Sequence, residues 1–162
     1  MYKIICLVFL LFFRFLYTNA QSDSLTHDNT MWQGTYHGLA TGVHVSQYPM
    51  LELGYSRHTL YEFPMTFGGS YTVESYFLND FIFAPKVNYW CNIMGINAGF
   101  SVPWYFDLNG ENSLRIRPEI GFGYDNFKVC YSANIALTNK NMEDVGTHFL
   151  SLNYYIRLKQ KE

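Results

Sequence analysis

Strict alternation of apolar residues with small or polar ones runs through most of the chain, and it constrains the fold more than any other feature. The clearest case is LRIRPEIGFGYDNFKVCYSANIAL, residues 114–137, in which every second residue from Leu114 to Tyr124 is apolar. After the short turn sequence DN the pattern restarts and continues to Leu137. A period of two is typical of a β-strand with one apolar face, and two such runs joined by a short polar turn predict a β-hairpin.

Eight segments with this period follow one another, and none has helical spacing. They are predicted at residues 36–47, 50–61, 66–78, 81–92, 94–106, 113–125, 127–138 and 146–159. The connections after the second, fourth and sixth segments are mostly short, whereas two of the others, 107–113 and 137–148, are longer and polar. Short turns at one end and longer loops at the other are typical of an up-and-down membrane barrel.

The two faces of these segments differ in composition. One face carries bulky aliphatic and aromatic side chains, and the other carries glycine, alanine and serine interleaved with charges. A solvated face rarely has this second composition, because glycine weakens an exposed strand and packs against nothing. Small and charged residues together suit a narrow interior in which carboxylates and cations neutralise one another. The predicted interior charge network consists of Glu52, Glu74, Lys86, Arg115, Arg117, Glu119, Lys128 and Arg157.

The bulky face is too large for the interior of a small barrel. Eight strands enclose a space that side chains just fill, so packing every bulky residue there would overfill it. The sequence therefore predicts an all-β fold, an eight-stranded antiparallel up-and-down transmembrane β-barrel, and a soluble barrel or two-sheet sandwich is the alternative. Aromatic residues near the segment ends are predicted to form the interfacial girdles of such a barrel. They are Tyr36, Tyr48, Tyr61, Phe63, Tyr76, Phe81, Tyr89, Trp90, Trp104, Tyr105, Tyr124 and Phe127.

Residues 1–20 form a separate region. A lysine at position 3 is followed by an apolar run and a small residue, Ala20, and this order predicts a cleaved secretory signal peptide. A membrane anchor is the alternative, but the run is shorter than the roughly 20 residues that a spanning helix needs, and Arg14 interrupts it. Residues 21–35 are polar and are predicted as a flexible leader, which leaves residues 36–160 as the barrel domain.

Composition limits the classes of partner that the chain can bind and the metal or thiol chemistry that it can have. The 162-residue chain has 15% charged residues and a formal net charge of −2, and it has no basic stripe, so nucleic acid is excluded as a partner. No cluster of cysteine and histidine has metal-ligand spacing, and we expect neither a metal nor a cofactor. Cys91 and Cys130 fall on opposite faces of their strands, so free thiols are expected rather than a disulfide.

The segments SLRIRPEIGFGYDNFKVCYSANIALTNKN and GTHFLSLNYYIRLKQ resemble the small outer-membrane β-barrel proteins of Gram-negative bacteria, particularly the uncharacterised short barrels of Bacteroidota. The resemblance implies an outer-membrane location, contact with membrane lipid and lipopolysaccharide, and insertion by the barrel-assembly machinery. Many such barrels end on an aromatic residue. Here LNYYIRL is followed by the charged tail KQKE, so the assembly signal would be internal, at Tyr154, Ile156 and Leu158.

One motif allows an enzymatic interpretation. His44 and Ser46 point to the same face of the first segment, and Glu52 lies one strand further on. A serine, a histidine and a carboxylate within reach of one another can form a hydrolytic triad, and some eight-stranded outer-membrane barrels modify lipid A with such a triad, although their motif lies late in the chain. His-x-Ser also arises by chance, and these residues suit a polar interior. We therefore expect no catalytic residue.

The sequence favours a structural or surface role without catalysis. An interior filled by charged residues and Tyr155 is expected to be plugged, so a general solute channel is not expected. The loops at 107–113 and 137–148 carry most of the exposed polar residues and could bind a ligand or partner. The alternatives are a lipid A-modifying hydrolase and a soluble periplasmic ligand-binding protein. The sequence does not identify an envelope protein partner.

Overall fold

The computed structural model describes residues 34–61, 65–77, 81–124, 126–140, 142 and 145–161, and the predicted signal peptide lies outside them. Within these ranges the structure consists of strands and their connections, and it has no helix long and apolar enough to cross a membrane. The strands are β1 (Gly34–Val45), β2 (Pro49–Tyr61), β3 (Met65–Phe77), β4 (Phe81–Ile93), β5 (Ile96–Asp107), β6 (Asn112–Tyr124), β7 (Phe127–Ala133), β8 (Ile135–Ala136) and β9 (His148–Lys161).

Consecutive strands from β1 to β7 pair antiparallel, β8 pairs with β6, β9 pairs with β7, and β1 closes the sheet by pairing with β9. β7 and β8 act as one barrel strand, because both pair with β6 in the same register and only Asn134 separates them. The described residues therefore form a closed barrel of eight strands. The prediction of an all-β, eight-stranded antiparallel up-and-down barrel is confirmed.

The strands are staggered around the barrel. A path through directly paired residues leaves β1 at Gly34 and returns to it ten residues further on, at His44. Its steps are Gly34, Leu60, Thr66, Asn92, Asn97, Gly121, Cys130, Ser151 and His44. Such a stagger tilts the strands from the barrel axis, typically by roughly 35–45°. Residues that are far apart in sequence therefore reach one another across the interior.

Burial alternates along the strands and assigns the two faces. The small and charged set points inward, where Glu74, Arg117 and Lys128 are at most 2% exposed. The bulky set points outward, where Leu53 is 58% and Phe122 is 73% exposed. This arrangement is the reverse of a water-soluble protein, in which apolar side chains fill the core and charges lie outside.

Several boundaries differ from the predicted ones because the strands are longer. β1 begins at Gly34, within the predicted leader, and the loop predicted at 107–113 shrinks to the residues between Asp107 and Asn112. Met94 and Gly95 join β4 to β5 with φ angles of 53° and 88°. Positive φ at both central positions is the geometry of a two-residue hairpin turn, which glycine adopts without strain. Among the connections between the described strands, only the one after β8 is long.

Three aromatic residues predicted for the interfacial girdles face the interior instead: Tyr36, which stacks on the buried His58, and Trp90 and Tyr105. Trp90 is 6% and Tyr105 is 0% exposed, so neither can contact a surrounding membrane. Alternation accounts for both positions, because Trp90 lies in phase with the inward Lys86 and Tyr105 in phase with the inward Ser101. Of the three cysteines of the chain, the two in the described residues, Cys91 and Cys130, are free thiols, as predicted.

Candidate functional site

The interior of the barrel is the candidate site, and it is filled at three levels. The loop end of the barrel carries the connections after β1, β3, β5 and β8, and the turn end carries those after β2, β4 and β6. An apolar cluster lies at the loop end, ion pairs lie in the middle, and aromatic rings lie at the turn end. Of the eight predicted interior charges, seven are buried and Arg157 is half-buried.

Glu74 is the centre of the middle level. It accepts a bidentate pair from Arg117, with Nη1–Oε1 at 2.7 Å and Nη2–Oε2 at 2.9 Å. The Lys86 Nζ lies 2.6 Å from Glu74 Oε1 and 2.9 Å from Glu52 Oε1. The Tyr105 hydroxyl donates to Glu74 at 3.3 Å and accepts from the Arg117 guanidinium. Each buried carboxylate thus has a cation, which is the condition under which buried charges are tolerated.

Glu119 forms a second group of contacts on the neighbouring strands. Ser101 donates to its Oε1 at 3.1 Å, and the Lys128 Nζ donates to its Oε2 at 3.3 Å. Lys128 also lies 5.6 Å from the ring centroid of Trp90, a cation–π distance. Arg117 is next but one to Glu119 in the sequence, yet its bidentate partner is Glu74 across the barrel.

His44 belongs to the middle level as well. Its Nε2 lies 2.5 Å from Glu52 Oε2, and its Nδ1 lies 2.7 Å from the Ser151 hydroxyl. Ser46, the predicted serine of a triad, lies beyond β1 and close to Gly146, where an added Cβ would come within 1.9 Å of the Ser46 Oγ. The structure therefore brings His44 and Glu52 together but places Ser151, and not Ser46, at the imidazole. At 1% exposed, Ser151 is out of reach of a bulky substrate.

His44, Glu52 and Glu74 each offer one ligand atom within 4.8 Å of the others, a spacing that can hold a metal ion. Here the Lys86 ammonium contacts both carboxylates, and the Arg117 guanidinium covers Glu74. A divalent cation would have to enter beside these positive charges in a buried site, and the repulsion opposes its binding. The arrangement fits a charge-paired cluster rather than a metal centre.

The long loop after β8 folds back into the barrel mouth. Its residues Met142 and Val145 are 4% and 3% exposed. Arg115 donates to the backbone carbonyls of Val145 at 3.1 Å and Met142 at 2.9 Å, and Asn134 donates to that of Gly146 at 3.0 Å. The loop at 137–148, which the sequence predicts to carry exposed polar residues, is therefore buried in part. We call Met142 and Val145, which close the loop end, the plug. The apolar cluster around it consists of Met50, Ile82, Ala84, Tyr105, Met142, Val145 and Phe149.

Aromatic rings close the turn end. The centroid of the His58 ring lies 5.6 Å from that of Tyr36, and those of Trp90 and Tyr155 lie 5.4 Å apart, both pairs being stacked. The Arg157 guanidinium lies 4.3 Å from the Tyr36 centroid. Both ring nitrogens of His58 and the Nε1 of Trp90 are buried without a hydrogen-bond partner. The turn end thus carries buried polar atoms on two of its rings that no protein group pairs.

Replacing Ser151 by alanine is expected to lower the free energy of unfolding by about 1–2 kcal/mol, because a buried imidazole nitrogen loses its partner. The matched change Ser46→Ala is expected to alter it by less than about 0.5 kcal/mol. Urea titration of both variants, followed by tryptophan fluorescence, measures the difference. Equal losses would contradict the pairing of His44 with Ser151.

The sequence indicated most of the charged residues of this site but missed Ser151, Tyr105 and Phe149 as their contacts. Strand phase alone would have placed Ser151 and Tyr105 inside, and only the stagger shows which charges they reach.

Comparison of the chain with protein-family models, with curated proteins and with solved structures gives no match.

Proposed function

We propose that this chain is an integral outer-membrane β-barrel with a structural or surface role and no catalytic activity. The main support for this proposal is the orientation of the two faces, with bulky apolar side chains outside and ion pairs inside. Soluble monomers rarely expose a large continuous apolar surface, whereas hydrocarbon accommodates one and penalises a charge at its midplane by roughly 2–4 kcal/mol. The predicted signal peptide supports the same location.

Strand length supports this proposal. β1 has 12 residues, β4 has 13 and β9 has 14. A tilted strand of about 9–11 residues is enough to cross a bilayer. The walls are therefore long enough to span the hydrocarbon core and leave their ends in the headgroup regions, where lipid and lipopolysaccharide would be the partners.

The filled interior argues against transport and against hydrolysis. The buried loop, the central ion pairs and the aromatic rings occupy successive levels, so a solute has no wide path along the axis. Ser151 lies beneath the plug, away from any lipid substrate in the membrane. A rigid, closed barrel fits a role in the envelope in which its surface or its exposed loop residues contact partners.

Insertion by the barrel-assembly machinery is part of the proposal. In β9 the outward side chains of Tyr154, Ile156 and Leu158 are 51%, 41% and 71% exposed. They form an apolar row on the last strand, which supports an assembly signal placed before the charged tail.

The first test is heat-modifiability. The chain is expressed with its N-terminal segment, the outer-membrane fraction is extracted with detergent, and unheated and boiled samples are run side by side on a denaturing gel. A barrel that stays folded in the detergent is expected to migrate differently before boiling. Recovery of the protein as a freely soluble periplasmic species would overturn the proposal.

A charge on the outward face tests the membrane location directly. Leu152→Arg, in the middle of the wall, is expected to lower the free energy of unfolding in lipid vesicles by about 2–4 kcal/mol. Leu158→Arg, on the same face near the end of β9, is the matched control and is expected to cost about 1 kcal/mol or less, because its side chain reaches the interface. In a protein surrounded by water, both substitutions would leave the stability nearly unchanged.

A further inference from the structure

A small pocket lies at the turn end beside the stacked rings of Trp90 and Tyr155, and we propose that it binds a monovalent anion of about chloride size. The proposal does not depend on the membrane location. It depends on the polar atoms that line the pocket and on which of them already have partners. The inward lining consists of Thr66, Trp90, Asn92, Asn97, Lys128 and Tyr155.

The amide oxygens of the lining are engaged within the protein. The Oδ1 of Asn92 accepts from the backbone N–H of Gly95 at 3.1 Å, and its Nδ2 donates to the Gly123 carbonyl at 2.7 Å. The Oδ1 of Asn97 accepts from the Cys130 thiol at 3.5 Å. A ligand that needs acceptors, such as a metal cation or an ammonium group, therefore finds few of them in this pocket.

Hydrogen-bond donors outnumber acceptors among the polar atoms of the lining that remain for a ligand. The Nε1 of Trp90 is buried without a partner, and an indole N–H can only donate. The Lys128 ammonium carries three N–H groups: one contacts Glu119 at 3.3 Å, which is long for a charge-assisted hydrogen bond, another donates to the Tyr155 hydroxyl, and the third is left for a ligand. The buried Asn97 side chain also lines the pocket, and its oxygen is taken by the Cys130 thiol. Donors around a buried positive charge select a ligand that accepts hydrogen bonds and carries negative charge.

Size selects among the anions. The free space accommodates a single particle of about the size of a water molecule. A halide fits with a small adjustment of the surrounding side chains, whereas a phosphate or a carboxylate does not fit as a whole. The exposed rings of Tyr124 and Phe127 complete the lining on the β6–β7 hairpin, so an ion could enter from the turn end. A water molecule is the competing occupant.

Halide binding can be followed through Trp90 itself, because bromide quenches an indole that it touches. The variant W32F/W104F leaves Trp90 as the sole fluorophore among the 3 tryptophans of the chain. Sodium bromide is titrated into the purified full chain at constant ionic strength, with gluconate as the balancing anion. We expect saturable quenching that chloride reverses. Lys128→Gln is expected to weaken binding about tenfold or more, because a hydrogen bond from a charged donor is lost.

Lys140→Gln is the matched control, since it removes the same charge from the exposed loop at the other end of the barrel. It is expected to leave the bromide titration unchanged. If Lys128→Gln does not fold, Asn97→Leu tests the same pocket while keeping the contact of Lys128 with Glu119. Linear quenching that does not saturate, or equal affinity in the pocket variants and the control, would show that the pocket holds only water and would overturn the proposal.

Discussion

Replacing Arg117 by methionine is expected to lower the free energy of unfolding by about 3–5 kcal/mol, since removing one partner of a buried ion pair leaves the other charge uncompensated. Arg117 is 0% exposed, and its guanidinium holds both oxygens of Glu74. Lys86 alone cannot replace this bidentate contact, because its ammonium also forms an ion pair with Glu52. Equilibrium unfolding in urea, in detergent or vesicles, measures the loss.

A double-mutant cycle distinguishes pairing from general damage to the interior. In Arg117→Met/Glu74→Gln both charges are gone, and we expect a loss smaller than that of Arg117→Met alone. Lys140→Met, on the exposed loop, is the control and is expected to change stability by less than about 0.5 kcal/mol. If the double variant is no milder than the single one, the interpretation of Arg117 and Glu74 as a stabilising pair is wrong.

Replacing Phe149 by alanine is expected to lower the free energy of unfolding by about 3–5 kcal/mol, because it opens a cavity in a packed region. Phe149 is 1% exposed, belongs to the apolar cluster at the loop end, and has the Arg117 guanidinium 4.3 Å from its ring centroid. Its loss also removes support for the plug. Trypsin is therefore expected to cleave after the exposed Lys140 faster than in the unmodified protein.

The matched control for this change is Phe122→Ala on the outward face, where the ring is 73% exposed. The surrounding medium fills the space left by an outward ring, so no cavity forms and the loss of stability should be clearly smaller. The rate of cleavage at Lys140 should not change in this control. Equal losses in the two variants would contradict the role of Phe149 as the support of the plug.

The barrel and the orientation of its faces could be predicted because both follow from a local rule. Alternation of side chains has a period of two. Once one residue on a strand is known to point inward, the direction of the other side chains on that strand follows. The same rule would have placed Trp90 and Tyr105 inside. Both were instead predicted as girdle residues because they lie near segment ends, where other aromatic residues cluster. The phase along a strand is the stronger signal in such cases.

The contacts within the site could not be predicted from the sequence. Whether Arg117 meets Glu74 or Glu119 depends on the stagger, which is a property of the closed barrel and not of any single strand. The plug was missed for a different reason. Residues 137–148 are mostly polar and lack periodicity, and the burial of Met142 and Val145 depends on Arg115 donating to their backbone carbonyls.

The stagger also has a consequence for the order in which this barrel can assemble. Glu74 lies on β3 and its bidentate partner Arg117 on β6, 43 residues away, so the pair forms only after β3 to β6 have paired and curved around the interior. Until then each charge needs water, and in the proposed membrane location an isolated hairpin would carry unpaired charge into hydrocarbon at high cost. We therefore expect the last hairpins to dock before the interior dehydrates. Desolvation, ion pairing and closure would then occur together in one cooperative step.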